Sequence, residues 1–202
     1  MVRALAPDAY LALASSLGEV VAIEAIELRP GVGSYACSPG PVPFHTDHPA
    51  VDVAAWQCVR QDPVDGASLL VDARGLVGRL SAADVTLLEA LPLAYPPLAE
   101  GHATGFAPVL EPRPDGHALY FPPVVRPRAP EASSLATFRA FTDYVRNAGA
   151  AAPIRIRLAP NDALFVDNRR MLHGRAALQP GSPRLLRRAW IRRLSERGAS
   201  AR

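Results

Sequence analysis

The stretch IRIRLAPNDALFVDNRRMLHGRAALQPGSPRLLRRAWIRR, residues 154–193, decides the fold. IRIRL (154–158) alternates apolar and charged side chains, APND (159–162) supplies turn residues, and ALFVD (163–167) follows as a strand expected to pair back on the first. After a polar segment, RLLRRAWIRR (184–193) reads as a last strand. In that strand Arg184, Leu186, Arg188 and Trp190 share one face, while Leu185, Arg187, Ala189 and Ile191 share the other. Periodicity does not say which face is inward. Two guanidiniums facing a core would demand anionic partners, and a bidentate arginine–carboxylate contact is the natural compensation. A solvated outer face suits Arg187 and Arg193.

Working outward from this stretch, the N-terminal part has a similar strand content. Residues 8–17 form a short helix stopped by Gly18, and EVVAIEAIEL (19–28) has strand character. RPGVGSYACSPGPVP (29–43) is a loop. VDVAAWQCV (51–59) and ASLLVDA (67–73) read as a hairpin joined by RQDPVDG. A helix is expected from Ala82 to Leu91, with Ser81 as its N-cap, Val85, Leu88 and Leu91 on its apolar face, and Pro92 ending it. The proline-rich segment around 92–130 holds one expected strand at HALYF and has the length of an active-site lid or of an exposed connection. A second amphipathic helix spans Ser134 to Asn147, with Leu135, Phe138, Phe141 and Val145 on one face and Gly149 as its cap. Strands at both ends with helices inserted between them predict a mainly β chain with a helical insert, as an antiparallel sandwich or jelly roll. No internal repeat is present.

Bulk composition narrows the function classes. At 202 residues the chain has room for one sizeable domain. The net charge is +3, and all 22 basic residues are arginine. They are spread along the chain without an aromatic-interleaved basic patch, so no nucleic-acid partner is expected. Cys37 and Cys58 lack metal or disulfide spacing, which fits a reducing cytoplasm. No run approaches membrane-span length, so no membrane partner is expected.

FHTDHP (44–49) carries the chemistry. On an extended chain His45 and Asp47 leave the same face and can converge on one ion, although the pair alone also reads as a polar turn before Pro49. A third ligand is needed. His173, in DNRRMLHGR (167–175), sits in a dense polar cluster and is the candidate. His48, His102 and His117 read as ordinary polar or loop residues. Two histidines and one carboxylate leave three positions of an octahedral ferrous ion open, as non-haem oxygenases require. A structural zinc site would be closed by four protein ligands.

With these residues assembled, the chain resembles the taurine dioxygenase and clavaminate-synthase-like Fe(II)/2-oxoglutarate-dependent oxygenases. The resemblance runs from LASSLGEVV through FHTDHP, DGASLLVDARGL and DNRRMLHGR to RLLRRAWI. It implies a short double-stranded β-helix, or jelly roll, in a single domain over 1–202. It also implies iron ligation by His45, Asp47 and His173, with 2-oxoglutarate and dioxygen as cosubstrates. Arg184, eleven residues beyond His173, would take the distal carboxylate of 2-oxoglutarate, and Ser68 would stand where a threonine usually helps. Arg188 matches a position that in some members contacts an acidic group of the substrate. The implied reaction is hydroxylation or desaturation of a small, acidic or amino-acid-like metabolite, free or carrier-bound. Asp47 argues against halogenation. DGAS replaces the usual Gly-Gly-x-Thr, and the N-terminal portion and the central insert are short, which leaves a catalytically silent small-molecule-binding member as the alternative. A metal hydrolase would leave the arginine pair and the DNRRMLHGR context without a role.

Overall fold

The computed structural model describes residues 1–29, 31, 35–98, 104–123, 127, 131–151 and 153–194. In chain order the elements are α1 (Pro7–Ser16), β1 (Glu19–Glu27), a 3-10 turn (Tyr35–Cys37), β2 (Val42–His45), β3 (Val53–Arg60) and β4 (Ser68–Asp72). Then come α2 (Ala73–Val77), α3 (Ala82–Glu89), β5 (Pro92–Tyr95), β6 (Gly105–Pro108), β7 (Leu110–Arg113) and β8 (Gly116–Leu119). The chain closes with α4 (Ala132–Ala151), β9 (Ile154–Ile156), β10 (Ala163–Asp167), β11 (Met171–Arg175) and β12 (Leu185–Arg192).

Two four-stranded antiparallel sheets carry the molecule, one in the order β1-β12-β3-β10 and the other β2-β11-β4-β9. This topology overturns both expected hairpins. β3 and β4 lie in different sheets, and so do β9 and β10, so each intervening turn carries the chain from one sheet across to the other. Local turn chemistry marks where the chain bends but not which strand it will pair with, because pairing is decided by burial on both faces. β3 takes β12 and β10 as neighbours, and β4 takes β11 and β9.

The period-two alternation sorts each strand between two environments. Ile26, Cys58, Leu70, Leu164, Val166 and Leu186 point between the sheets and form an inner core. On the outside of the first sheet Val53, Ala55, Ala163, Ala189 and Ile191 pack under α1 through Tyr10 and Ala14. Both faces of β12 are therefore covered, with Arg184, Arg188 and Trp190 lining the internal cavity. On the outside of the second sheet Leu172 joins Leu88, Phe138, Phe141 and Val145 of α3 and α4. Each large apolar side chain buried in this way contributes roughly 1.5–3 kcal/mol.

Ser81 caps α3 as the sequence predicts, its Oγ accepting from the Asp84 amide at 3.1 Å. Gly149 does not cap α4. The helix runs on to Ala151, and Gly149 is a packing position where an added Cβ would stand 2.1 Å from Cε2 of Phe44. Absence of a side chain lets α4 lie close over β2 and makes room for Phe44, which strand alternation turns outward while His45 faces in. The central segment also departs from expectation. In place of one strand it folds as two hairpins, β5–β6 and β7–β8, with only residues 117–119 of HALYF in strand. The polar segment before the last strand contains β11 itself. Among the described residues no helix is long and apolar enough to cross a membrane.

Candidate metal centre and cosubstrate cavity

His45 ends β2 and His173 sits at the middle of β11, and the two are direct register partners across the antiparallel pair. This pairing brings the imidazoles to a centroid separation of 4.3 Å. Asp47 follows two residues after His45, in a loop that turns inward. One donor atom from each of His45, Asp47 and His173 lies within 4.8 Å of the others. His173 Nε2 stands 3.6 Å from Asp47 Oδ2, and His45 Nε2 stands 3.9 Å from Asp47 Oδ1.

Charge and hydrogen bonding suit this set to a divalent ion. Burial, and then the neighbouring His45 ring, pull His173 down to about 3, and burial lowers His45 as well, so both imidazoles are neutral. Burial opposes ionisation of Asp47, but the charged Arg188 guanidinium and the Trp190 hydrogen bond favour it, and the carboxyl stays below its usual range. His45 Nδ1 lies 2.8 Å from the Pro43 carbonyl, which fixes the proton on Nδ1 and turns Nε2 toward the cluster. Both ring nitrogens of His173 are buried without a hydrogen-bond partner. A buried imidazole left unsatisfied in this way is costly unless it is ligated. Two neutral imidazoles and a carboxylate fit ferrous iron with open positions.

The carboxylate is held from behind by residues whose role here the sequence reading did not identify. Asp47 Oδ2 accepts from Trp190 Nε1 at 2.8 Å, and Oδ1 accepts from Arg188 Nη1 at 3.2 Å. Arg188 also donates to Glu24 at 2.7 Å and stacks over the Trp190 ring at 4.3 Å. Its guanidinium is thus engaged by two protein carboxylates while still lining the cavity. Buried Asn168 fixes the Asp47 loop. Its Oδ1 accepts from the Asp47 amide at 2.7 Å, and its Nδ2 donates to the Val51 carbonyl at 2.8 Å. Thr46 adds a reciprocal pair with the Phe121 backbone. The period-two face of β12 had already grouped Trp190 with the arginines, but an apolar neighbour on that face gives no sign that it donates to a ligand.

A cavity of about 510 Å³ opens from this cluster. Its lining includes Ser68, Arg175 and Arg184 as well as the three metal-ligand candidates, and apolar walls from Ile26, Leu70 and Leu186. Ser68 begins β4 opposite Arg175 in register. Arg184 is 4% exposed, and its Nε donates to Gln61 Oε1 at 3.2 Å. Burial, and then Arg175, lower Arg184 to about 10, which leaves it charged. Arg175 donates to the carbonyls of Ser38 and Gly40 at 2.7 and 2.6 Å. Among the described residues neither guanidinium forms an ion pair, and the one Asp62 carboxylate that acts on both through space leaves net positive charge for an anion to neutralise. His48 stands apart from the triad. It accepts from the Ala50 amide, and its Nε2 lies 3.1 Å from the Pro96 carbonyl at the cavity mouth. His117 pairs with Glu89 at 2.9 Å, and His102 lies outside the described residues.

The two sheets bring three candidate metal ligands and two buried guanidiniums to one cavity. Residues 9–190 match the family model described as Taurine catabolism dioxygenase TauD, TfdA family, and the chain belongs to that family. No curated protein sequence matches it. Among solved structures it is similar to asparagine oxygenase in complex with Fe(II), 2S,3S-3-hydroxyasparagine and succinate, with a TM-score of 0.74 and 21% identity over 90% of this chain and 63% of that one. It is also similar to the non-heme iron oxygenase OrfP in complex with Fe and alpha-ketoglutaric acid, with a TM-score of 0.68 and 18% identity over 91% of this chain and 63% of that one. The chain therefore spans less than two thirds of the length of these two relatives.

Proposed function

We propose that the chain is an Fe(II)/2-oxoglutarate-dependent dioxygenase, built as a single double-stranded β-helix domain, that hydroxylates or desaturates a small acidic or amino-acid-like metabolite. The observation that carries this reading is the convergence of His45, Asp47 and His173, with both nitrogens of His173 buried and unpartnered. His45, Asp47 and His173 would hold the iron. Arg184 and Ser68 would bind the far carboxylate of 2-oxoglutarate, and Arg188, already shared between Asp47 and Glu24, would meet an acidic group of the substrate with its remaining N–H donors. Bound iron supplies the oxidative chemistry, in which dioxygen and 2-oxoglutarate are consumed, succinate and carbon dioxide are released, and one oxygen atom enters the substrate on hydroxylation.

The protein's contribution is position and environment. Trp190 and Arg188 fix the Asp47 carboxylate so that its orientation is set before any ligand arrives. Leu70, Leu164 and Leu186 give the inner cavity apolar walls, which lower the local dielectric and strengthen the interactions of the charged groups. The guanidinium of Arg184 neutralises an incoming carboxylate in surroundings where an unpaired charge is expensive. Support for an amino-acid-like substrate comes from the relatives, one of whose structures holds 3-hydroxyasparagine and another (3S)-hydroxy-L-Arg.

The reading is tested by titrating the protein anaerobically with Fe(II) and then 2-oxoglutarate. The expected result is the visible charge-transfer band of a bound 2-oxo acid chelate, followed by succinate formation once oxygen is admitted. Iron binding without the band, in folded protein, would overturn it. A band without succinate across a broad substrate panel would favour the silent binding protein instead.

A further inference from the structure

Arg184 is held in place by a residue that never reaches the cavity. Gln61 lies at the end of β3, in the turn that crosses between the sheets, and is absent from the cavity lining. Its side-chain amide is engaged at both ends. Nε2 donates to the Leu158 carbonyl at 2.9 Å, while Oε1 accepts from the Asp62 amide at 2.9 Å and from Arg184 Nε at 3.2 Å. Since the donor end is fixed by Leu158, the amide cannot flip, and the oxygen must face Arg184. The turn behind it is equally constrained. Asp62 is fully buried and accepts from the amides of Val64, Asp65 and Gln179. Ser182 Oγ accepts from the Arg184 amide at 3.2 Å, so backbone and side chain of Arg184 are both anchored. Gly66, with φ of +69°, lets the turn pass Arg184 closely, since an added Cβ would stand 3.0 Å from Arg184 Cδ.

We infer that Gln61 is a positioning residue for cosubstrate binding. It holds the Arg184 guanidinium by Nε, leaving the two terminal nitrogens to form a bidentate contact with the distal carboxylate of 2-oxoglutarate. The inference rests on the assignment of Arg184 under the proposed function. A neutral acceptor is suited to this task because it orients the cation without discharging it. A carboxylate at position 61 would form its own ion pair with Arg184 and compete with the ligand, while an apolar side chain would leave a long arginine free to sample other rotamers. A guanidinium fixed in advance loses less freedom on binding.

Gln61→Met and Gln61→Glu separate these effects. With Fe(II)-loaded protein under anaerobic conditions, the dissociation constants of 2-oxoglutarate and of 2-oxobutyrate, which lacks the distal carboxylate, are measured by calorimetry and by the chelate band. Gln61→Met is expected to weaken 2-oxoglutarate about tenfold and to leave 2-oxobutyrate unchanged. Gln61→Glu, which retains an acceptor for the Asp62 amide, is expected to weaken 2-oxoglutarate at least as much. Fe(II) affinity without a 2-oxo acid stays at the wild-type value in both variants. Equal losses for both acids would mark a general structural defect and overturn the inference, as would wild-type 2-oxoglutarate affinity in both variants. If wild-type protein itself does not prefer 2-oxoglutarate over 2-oxobutyrate, the assignment of Arg184 fails first.

Discussion

The floor and the mouth of the cavity are built by different means. On the floor His173, Arg175 and Ser68 project from β11 and β4, which are hydrogen-bonded in register, and Arg184 directly precedes β12. At the mouth Tyr35 and Ala36 come from the 3-10 turn before β2, and Pro96, Pro97, Pro122 and Pro123 come from connections that follow β5 and β8. A strand in a ladder fixes side-chain direction to within a small tolerance, which metal ligation and bidentate carboxylate binding both need. Proline stiffens a connection by fixing φ without requiring a hydrogen-bonded neighbour. The contrast separates the two tasks. Most floor groups sit on paired strands or directly beside them, whereas the mouth is lined by connections that can vary without moving those strands.

Asp47→Ala removes the carboxylate from the triad and is expected to weaken Fe(II) binding more than about 100-fold and to abolish 2-oxoglutarate consumption. The fold should persist, because Asp47 belongs to no strand and Asn168 grips its backbone amide rather than its side chain. Retained iron affinity, read by anaerobic titration with thermal unfolding as the folding control, would place the metal elsewhere. One step outward, Trp190→Phe removes the 2.8 Å donation to Asp47 Oδ2 and trims the ring on which Arg188 stacks. Metal affinity should fall about tenfold, the scale typical of an outer hydrogen bond to a ligand. An unchanged affinity would mean that Arg188 alone suffices to orient the carboxylate.

How much of this was legible in the sequence depends on whether a signal was local. The grouping of His45, Asp47 and His173 was readable through the resemblance carried by FHTDHP and DNRRMLHGR, and ALFVD was readable as β10 because a short apolar run bounded by turn residues has its own pattern. The pairing of the strands was not readable. IRIRL and ALFVD look like a hairpin by every local criterion, yet β9 and β10 enter different sheets. Their partners, β4 and β3, lie 84–88 and 106–114 residues away in the chain, and no turn residue encodes a partner at that distance. The same limit concealed Gln61 and Asn168. Each is an unremarkable amide until folding brings a remote arginine or a remote loop against it, so its role exists only in the tertiary structure. Gly149 was misread for a related reason. A glycine near the end of a helical pattern commonly marks a cap, but here Phe44, more than 100 residues earlier, requires the missing side chain.

Tyr120 is buried, lines the cavity, and donates its hydroxyl to the Ala94 carbonyl at 3.1 Å, tying the end of the second central hairpin to β5. Tyr120→Phe removes that bond and keeps the ring packed against Tyr95. A neutral hydrogen bond of this kind contributes about 1 kcal/mol net, and for a chain of this length the corresponding fall in Tm is about 2–4 °C. Because no strand of the floor depends on the Ala94 carbonyl, the anaerobic 2-oxoglutarate affinity should stay within about twofold of wild type, a change of less than 0.5 kcal/mol. If floor and mouth were one mechanical unit, loosening this tie would weaken cosubstrate binding along with stability. A drop in Tm accompanied by a severalfold loss of 2-oxoglutarate affinity would therefore show that the prolines and tyrosines of the mouth help to shape the floor as well as to cover it.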